Sequence, residues 1–311
     1  MLNQPMDILK SYPVRKCKKQ KQAFREAVQS YVTTLGYEST VEKGSLGIRN
    51  IVIGNPEEAQ YLITAHYDTP ARLLLPNLIT PCNFWTFIGY QFVVTLGMLL
   101  VAVIPGILLY AIGAPSETAR RVCGISLYVL CVLLLVGPAN KSNANDNTSG
   151  VVSVLEIAKS LPTDYRNKVC FVLFDLEEAG LLGSAAYLKA HKKQSENQIV
   201  LNLDCVGDGN ELMMFPTKKL KKDAAKLDLL RTICGKWGEK SLMLRDSGFS
   251  TYPSDQKHFP YGVGIAALRR NSKGILYCSR IHTSKDTILE ETNVNILRAA
   301  IISLITCSAV K

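Results

Sequence analysis

Gln60-Tyr61-Leu62-Ile63-Thr64-Ala65 runs directly into His66-Tyr67-Asp68. The first six residues are mostly apolar or β-branched and read as a buried strand. The next three carry two groups able to bind a metal ion or move a proton. His66 and Asp68 are two apart, so on an extended chain their side chains leave on the same side. A strand that ends in such groups implies an α/β sheet, where distant parts of the chain meet at one edge.

The arrangement recurs along the chain. Residues 168–175 read as a buried strand and precede Glu177-Glu178; residues 198–203 read as another and precede Asp204. Ile281-His282-Thr283 follows a strand read at 274–278, and further strands are read at 50–54, 211–215 and 264–268. A polar loop over 143–150 carries Asn145-Asp146-Asn147 and opens a helix over 151–161, with Thr148 or Ser149 as N-cap. Other helices are expected over 16–35, with Gly36 as C-cap, and over 181–191, 219–237 and 293–307. Strands alternating with helices argue for a sheet covered on both faces.

Between the first and second of these segments lies a long apolar insert. No Asp, Glu, Lys or Arg occurs from Leu73 to Ser116 or from Val122 to Asn140. Residues 84–109 and 122–139 are each long enough to cross a hydrocarbon core of about 30 Å, the shorter with some local thinning. Pro105 is expected to kink or end the first span, and Glu117, Arg120 and Arg121 occupy the polar turn between the two. Two spans return the chain to the side it left. The division expected is therefore one catalytic domain, 1–78 with 140–311, and a transmembrane hairpin at 79–139.

The 311 residues carry a formal net charge of +10 and a mean hydropathy of +0.10. No interleaved aromatic and basic motif supports a nucleic-acid partner, whereas attraction to anionic lipid headgroups suits the insert. The Lys16, Lys18, Lys19 and Lys21 run reads as a solvated helix face, and His191 as solvent-facing. Nine scattered cysteines without a CxxC pair, and no apolar leader before Arg15, place the catalytic domain in the cytosol as an expectation. The positive-inside rule is divided, since Arg72 and Lys141 flank the body while Arg120 and Arg121 flank the turn.

The residue types suit a two-cation hydrolytic site. A metal-bound imidazole needs its second nitrogen held by an acceptor, which places Asp68 behind His66. Asp146, in a loop opening a helix, is positioned for a bridging carboxylate. Adjacent Glu177 and Glu178 cannot point the same way, so one can bind metal while the other reaches water. Asp204 and His282 complete two ligand sets.

The strings AHYDT (65–69), ANDNTSGV (144–151), DLEEAGLLGS (175–184), NLDCVG (202–207) and IHTSKD (281–286) resemble those of metallopeptidase family 28. These are the co-catalytic di-zinc aminopeptidases, with glutamate carboxypeptidase II and glutaminyl cyclases among their relatives. The resemblance implies a three-layer α/β/α sandwich with a mixed, largely parallel central sheet. It implies two zinc ions: His66 and Asp204 on one, Glu178 and His282 on the other, Asp146 bridging. Glu177 would be general base and acid, Asp68 would orient His66, and the peptide after Asp146 would be cis. Phe259 and Tyr261 are candidates for the side-chain pocket, with core packing as the alternative. Ser254 to Phe259 resembles the family's Ser-Asp-His stretch, with Gln256 where His is common.

The function expected is a membrane-anchored aminopeptidase acting on peptides with a free N-terminus. The alternatives are a relative with other chemistry, such as a glutaminyl cyclase or carboxypeptidase, and an inactive membrane scaffold. A transporter component is disfavoured, because two spans without an intramembrane charge offer no pathway.

Overall fold

The computed structural model describes residues 2–307. In chain order, single-turn helix α1 (Ile8–Ser11) and helix α2 (Lys18–Thr34) lead into strands β1 (Ser39–Lys43), β2 (Arg49–Ile53) and β3 (Tyr61–His66). Helices α3 (Phe84–Ala111) and α4 (Ser116–Val136) follow, then α5 (Gly150–Ser160) and strand β4 (Val169–Phe174). Helix α6 (Leu182–Ala190) and the short α7 (Lys192–Ser195) precede strands β5 (Ile199–Leu203) and β6 (Glu211–Pro216). Helix α8 (Ala224–Arg231), strands β7 (Gly235–Trp237), β8 (Lys240–Leu244), β9 (Gly262–Arg270) and β10 (Leu276–Tyr277), and helix α9 (Glu291–Cys307) complete the order.

One sheet runs β1-β2-β4-β3-β5-β9-β6-β8-β7, with β10 added to β9. The central strands β4, β3, β5 and β9 are mutually parallel, so their C-terminal ends share one edge. Antiparallel partners flank them on both sides, which makes the sheet mixed. Alternation along the strands feeds two cores. Tyr61, Ile63, Ala65, Phe171 and Leu173 pack with α2, α5 and α9 on one face. Leu62, Cys170, Val172 and Phe174 pack with Tyr187 of α6 and with Phe259 on the other.

The hairpin helices leave from the edge where the parallel strands end. Both pass the length and apolarity needed to cross a bilayer, and little of either is buried. At about 1.5 Å per residue, the 28 residues of α3 extend about 42 Å. Small residues join the pair: a Cβ on Gly106 would overlap the Ala119 carbonyl oxygen and Cys123 Sγ. Such contacts let membrane helices approach closely. Pro105 does not end α3, which runs on to Ala111, because the ring removes one backbone donor and not the helical course. Helix α4 starts earlier than its apolar run: Pro115 precedes it, and Glu117 pairs with Arg121 across one turn at 2.5 Å.

Other expectations are corrected. Residues 219–237 do not form one helix. A 3-10 turn (Leu220–Lys222) is followed by α8, whose N-cap Asp223 accepts the Lys226 N–H. Then β7 and β8 form a hairpin through Gly238 at φ +65°. Residues 143–150 form a wide turn whose centre is not helical, with Asp146 at φ −111°, ψ 96° and Asn147 at φ −128°, ψ 47°. Ser149 stands at the N-cap position of α5, as expected, but the capping bond comes from the Asn147 side chain, which accepts the Gly150 N–H at 3.0 Å. Lys21 is not solvated, since it is buried against Asp175 at 2.5 Å. His191 stacks on Tyr187 and lies 2.7 Å from Glu42, so it does not face solvent.

Candidate metal centre

The site is assembled at the ends of β3, β4 and β5 and in the turns that follow. Tyr67 anchors the first of these. Its ring is fully buried and stacked on Phe24 with centroids 5.2 Å apart, and its hydroxyl donates to the Arg49 carbonyl. With Tyr67 held inward, His66 and Asp68 project together into the edge.

The Asp146 turn is held by residues from three directions. Asp286 accepts the backbone N–H of Asn145 and Asp146 at 2.8 and 3.0 Å. The Asn147 side chain donates to the Leu203 carbonyl at the end of β5 and accepts from Cys205. Asn145 Oδ1 accepts the N–H of Gly207 and Asp208. The Asp146–Asn147 peptide is cis. Leu176, Cys205 and His282 have left-handed φ of 55°, 57° and 62°. For non-glycine residues this costs on the order of 1–3 kcal/mol each, and here all three adjoin or carry the converging groups.

All five proposed ligands meet. His66 Nε2 lies 3.3 Å from Asp146 Oδ1 and 3.7 Å from Asp204 Oδ1. His282 Nε2 lies 3.1 Å from Asp146 Oδ2 and 3.5 Å from Glu178 Oε2. The two oxygens of Asp146 therefore serve two separate sets. Glu177 belongs with His66 and Asp204 in one group of potential donors, and Glu178 with His66 and Asp146 in another. The two groups share His66. Asp68 Oδ1 stands 3.5 Å from His66 Nδ1, and the Asp68 carboxylate accepts the N–H of Glu177 and Glu178 at 3.0 and 3.3 Å.

Burial pushes the Glu177 carboxyl well above its ordinary range, and Glu178, Asp255 and Asp204 push it further against the pull of His66. Burial raises Glu178 likewise, with Asp146 adding to it. Burial would lower His66, but Glu177, Asp146, Asp204 and Asp68 outweigh it and hold the imidazole well above its ordinary value. His282 is raised against burial by Asp146 and then Glu177. Asp204 Oδ1 and Glu178 Oε1 are buried without a hydrogen-bond partner. Imidazole nitrogens and carboxylate oxygens in excess negative charge form a donor set that suits zinc.

Three more residues shape the site: Asp286 and Asp255 lie in strings already singled out, whereas Arg15 had no signal of its own. Asp286 lies four residues beyond His282. Asp255 is buried, bonded by Ser184, and pushed up to about 7 by burial with Asp204 and Asp68 adding to it, against His66 and Ser184. Arg15 is fully buried; it donates to the Tyr67 carbonyl at 2.6 Å and to Thr148 Oγ1 at 3.0 Å, tying the two metal loops together. Burial lowers its guanidinium to about 10, while Asp68 and Asp146 oppose the shift. Phe259 packs in the core between Phe174 and Tyr187, and the Tyr261 ring lies under Lys219 and Lys226. Core packing is thus the place the structure gives Phe259.

The sequence model for Peptidase family M28 matches residues 132–304. The chain belongs to Peptidase family M28. Aminopeptidase YwaD of Bacillus subtilis is 42% identical over 69 residues, 21% of this chain and 15% of that protein. The match thus spans a small part of that relative. The LapA aminopeptidase of Legionella pneumophila superposes with a TM-score of 0.59 at 16% identity, over 97% of this chain and 67% of LapA. A glutaminyl cyclase from Macrostomum lignano gives 0.54 at 12% identity, over 98% of this chain and 88% of that one. At such identities the two structures establish the shared fold. The M28 match begins inside α4 and so leaves out His66 and Asp68, which the insert separates from the other motifs.

Proposed function

We propose that the chain is a zinc-dependent aminopeptidase tethered to a membrane by the α3–α4 hairpin, with its catalytic body in the cytosol. The reading is carried by Asp146, whose two carboxylate oxygens face two different imidazoles. His66 and Asp204 would hold one zinc, Glu178 and His282 the other, and Asp146 both. When bound, such a pair polarises a carbonyl oxygen and lowers the pKa of water.

The chain's own groups supply the rest. Glu177 is the general base: its carboxylate takes the proton of the attacking water and returns it to the amine leaving the scissile bond. Its backbone is fixed by the N–H bond to Asp68. Asp68 orients His66 and fixes which ring nitrogen faces the cations. The substrate is a peptide with a free N-terminal ammonium, a cation suited to the carboxylate excess of the edge.

The test is a panel of amino-acid p-nitroanilides on detergent-solubilised protein, with metal analysis. Glu177→Gln should lower kcat by about 10²–10⁴-fold with zinc retained. A wild-type protein that binds zinc yet cleaves none of the panel would overturn the aminopeptidase reading. Loss of zinc in Glu177→Gln would overturn the role of Glu177.

A further inference from the structure

The hairpin is clamped onto the body, not hung from it. Ala71 and Ala139 form an isolated antiparallel bridge, Arg72 N–H donates to the Pro138 carbonyl at 2.7 Å, and Asn140 N–H to Pro70 at 2.9 Å. From there the chain runs along the loop that carries His282. Leu73 N–H donates to the His282 carbonyl at 2.7 Å, and Ile79 exchanges two backbone bonds with Cys278 at 2.9 Å each. Thr251 N–H then bonds Pro81, and Phe249 meets Phe84 at the base of α3 with ring centroids 5.2 Å apart. The root of the hairpin therefore covers the metal-bearing edge.

Two kinds of side chain stand out on this root. Leu74 is 103% exposed, Leu75 59%, and Phe249 44%. Trp85, one residue into α3, is also open. Around them lie five cations. Lys16 Nζ donates to the Leu135 carbonyl at the end of α4; Arg72 and Lys141 flank the clamp; Lys221 donates to Ser250, next to Phe249; Arg245 lies against Gly248. Among the described residues none of the five forms an ion pair. Asp246, the acid beside them, is taken by Arg231 at 2.5 Å. Asp68, Asp146 and Glu178 point into the metal centre.

We propose that this root is a binding surface for anionic lipid headgroups, with Leu74, Leu75 and Phe249 dipping into the interface and Lys16, Arg72, Lys141, Lys221 and Arg245 meeting the phosphates. It rests on the reading that α3 and α4 cross a bilayer, and adds a second contact with that bilayer. The occupant follows from continuity and charge. The apolar side chains adjoin two candidate spans, and unpaired cations beside a membrane entry point are drawn to an anionic leaflet. On this surface the metal-bearing edge faces the membrane.

The experiment uses the full chain in nanodiscs of phosphatidylcholine alone or with phosphatidylserine. Hydrogen exchange is followed over residues 72–78 and 245–251. The expected result is exchange slowed roughly fivefold or more by phosphatidylserine, the effect of about one cation at an anionic surface, and restored by high salt. Replacing the five cations together by glutamine should remove the lipid-charge dependence. Equal exchange in the two disc types overturns the proposal while leaving the spans intact. Failure of the protein to enter discs at all overturns the spans and the proposal together. Should the multiple variant fold poorly, the salt dependence of the unaltered chain decides alone.

Discussion

In the metal centre, four carboxylates and two imidazoles crowd together in a largely enclosed edge, and two of their oxygens have no partner. In the hairpin, leucine, isoleucine and valine side chains along α3 and α4 stand open, many of them more than half exposed. Each region breaks the rule the other obeys, since charge is ordinarily solvated and apolar surface hidden. On the proposed reading the breach has the same meaning in both, since each region is built for a partner. Cations would complete the first, hydrocarbon the second.

The comparison can be broken at several points. The largest effect is expected from Asp146→Ala, which removes a ligand from both cations. Turnover should fall by at least the about 10²–10⁴-fold expected for losing the general base. Zinc content, measured by emission spectrometry, should fall with it; a variant that keeps both ions would mean Asp146 does not bridge. Asp68→Asn leaves every ligand in place and loosens only His66. A loss of about 10–100-fold in metal affinity or activity is expected, and unchanged zinc titration would argue against the orienting role.

A subtler consequence concerns protons. Without metal and against burial, Glu177, Asp146, Asp204 and Asp68 raise the His66 imidazole above its ordinary value. Zinc needs the neutral ring, so binding must release protons, and affinity should rise as pH rises through neutrality and fall as it drops. Calorimetry in two buffers of different ionisation enthalpy reads that release directly. Identical heats in both would contradict the protonated state. On the hairpin side, Gly106→Leu should force α3 and α4 apart at the Ala119 contact, an overpacking cost of about 1–3 kcal/mol. A solubilised protein equally resistant to heat would show that the two helices do not rely on that contact.

Much of this architecture was legible beforehand because strands ending in His, Asp and Glu carry a local pattern. The runs before His66, Glu177 and Asp204 are continuous and apolar, and each is a parallel strand of the sheet centre. The apolar insert was equally plain, since charge is absent over long stretches. What escaped reading has tertiary causes. The β7–β8 hairpin was hidden because basic residues at helical spacing outweighed Gly235 and Gly238. Arg15 acts through contacts with the distant Tyr67 carbonyl and Thr148 hydroxyl, and an isolated polar residue has no period to betray it. Lys21 looked like its neighbours Lys18 and Lys19, and only the position of Asp175 on β4 distinguishes it.

The Ala71–Ala139 bridge has an evolutionary reading. Two residues that pair across a strand ladder are already where a short turn would need them. Beyond the segment that lies along the His282 loop, the excursion can vary in length at little cost, because the entropy of closing it grows only slowly with its length. The hairpin thus resembles a graft set into a pre-existing joint.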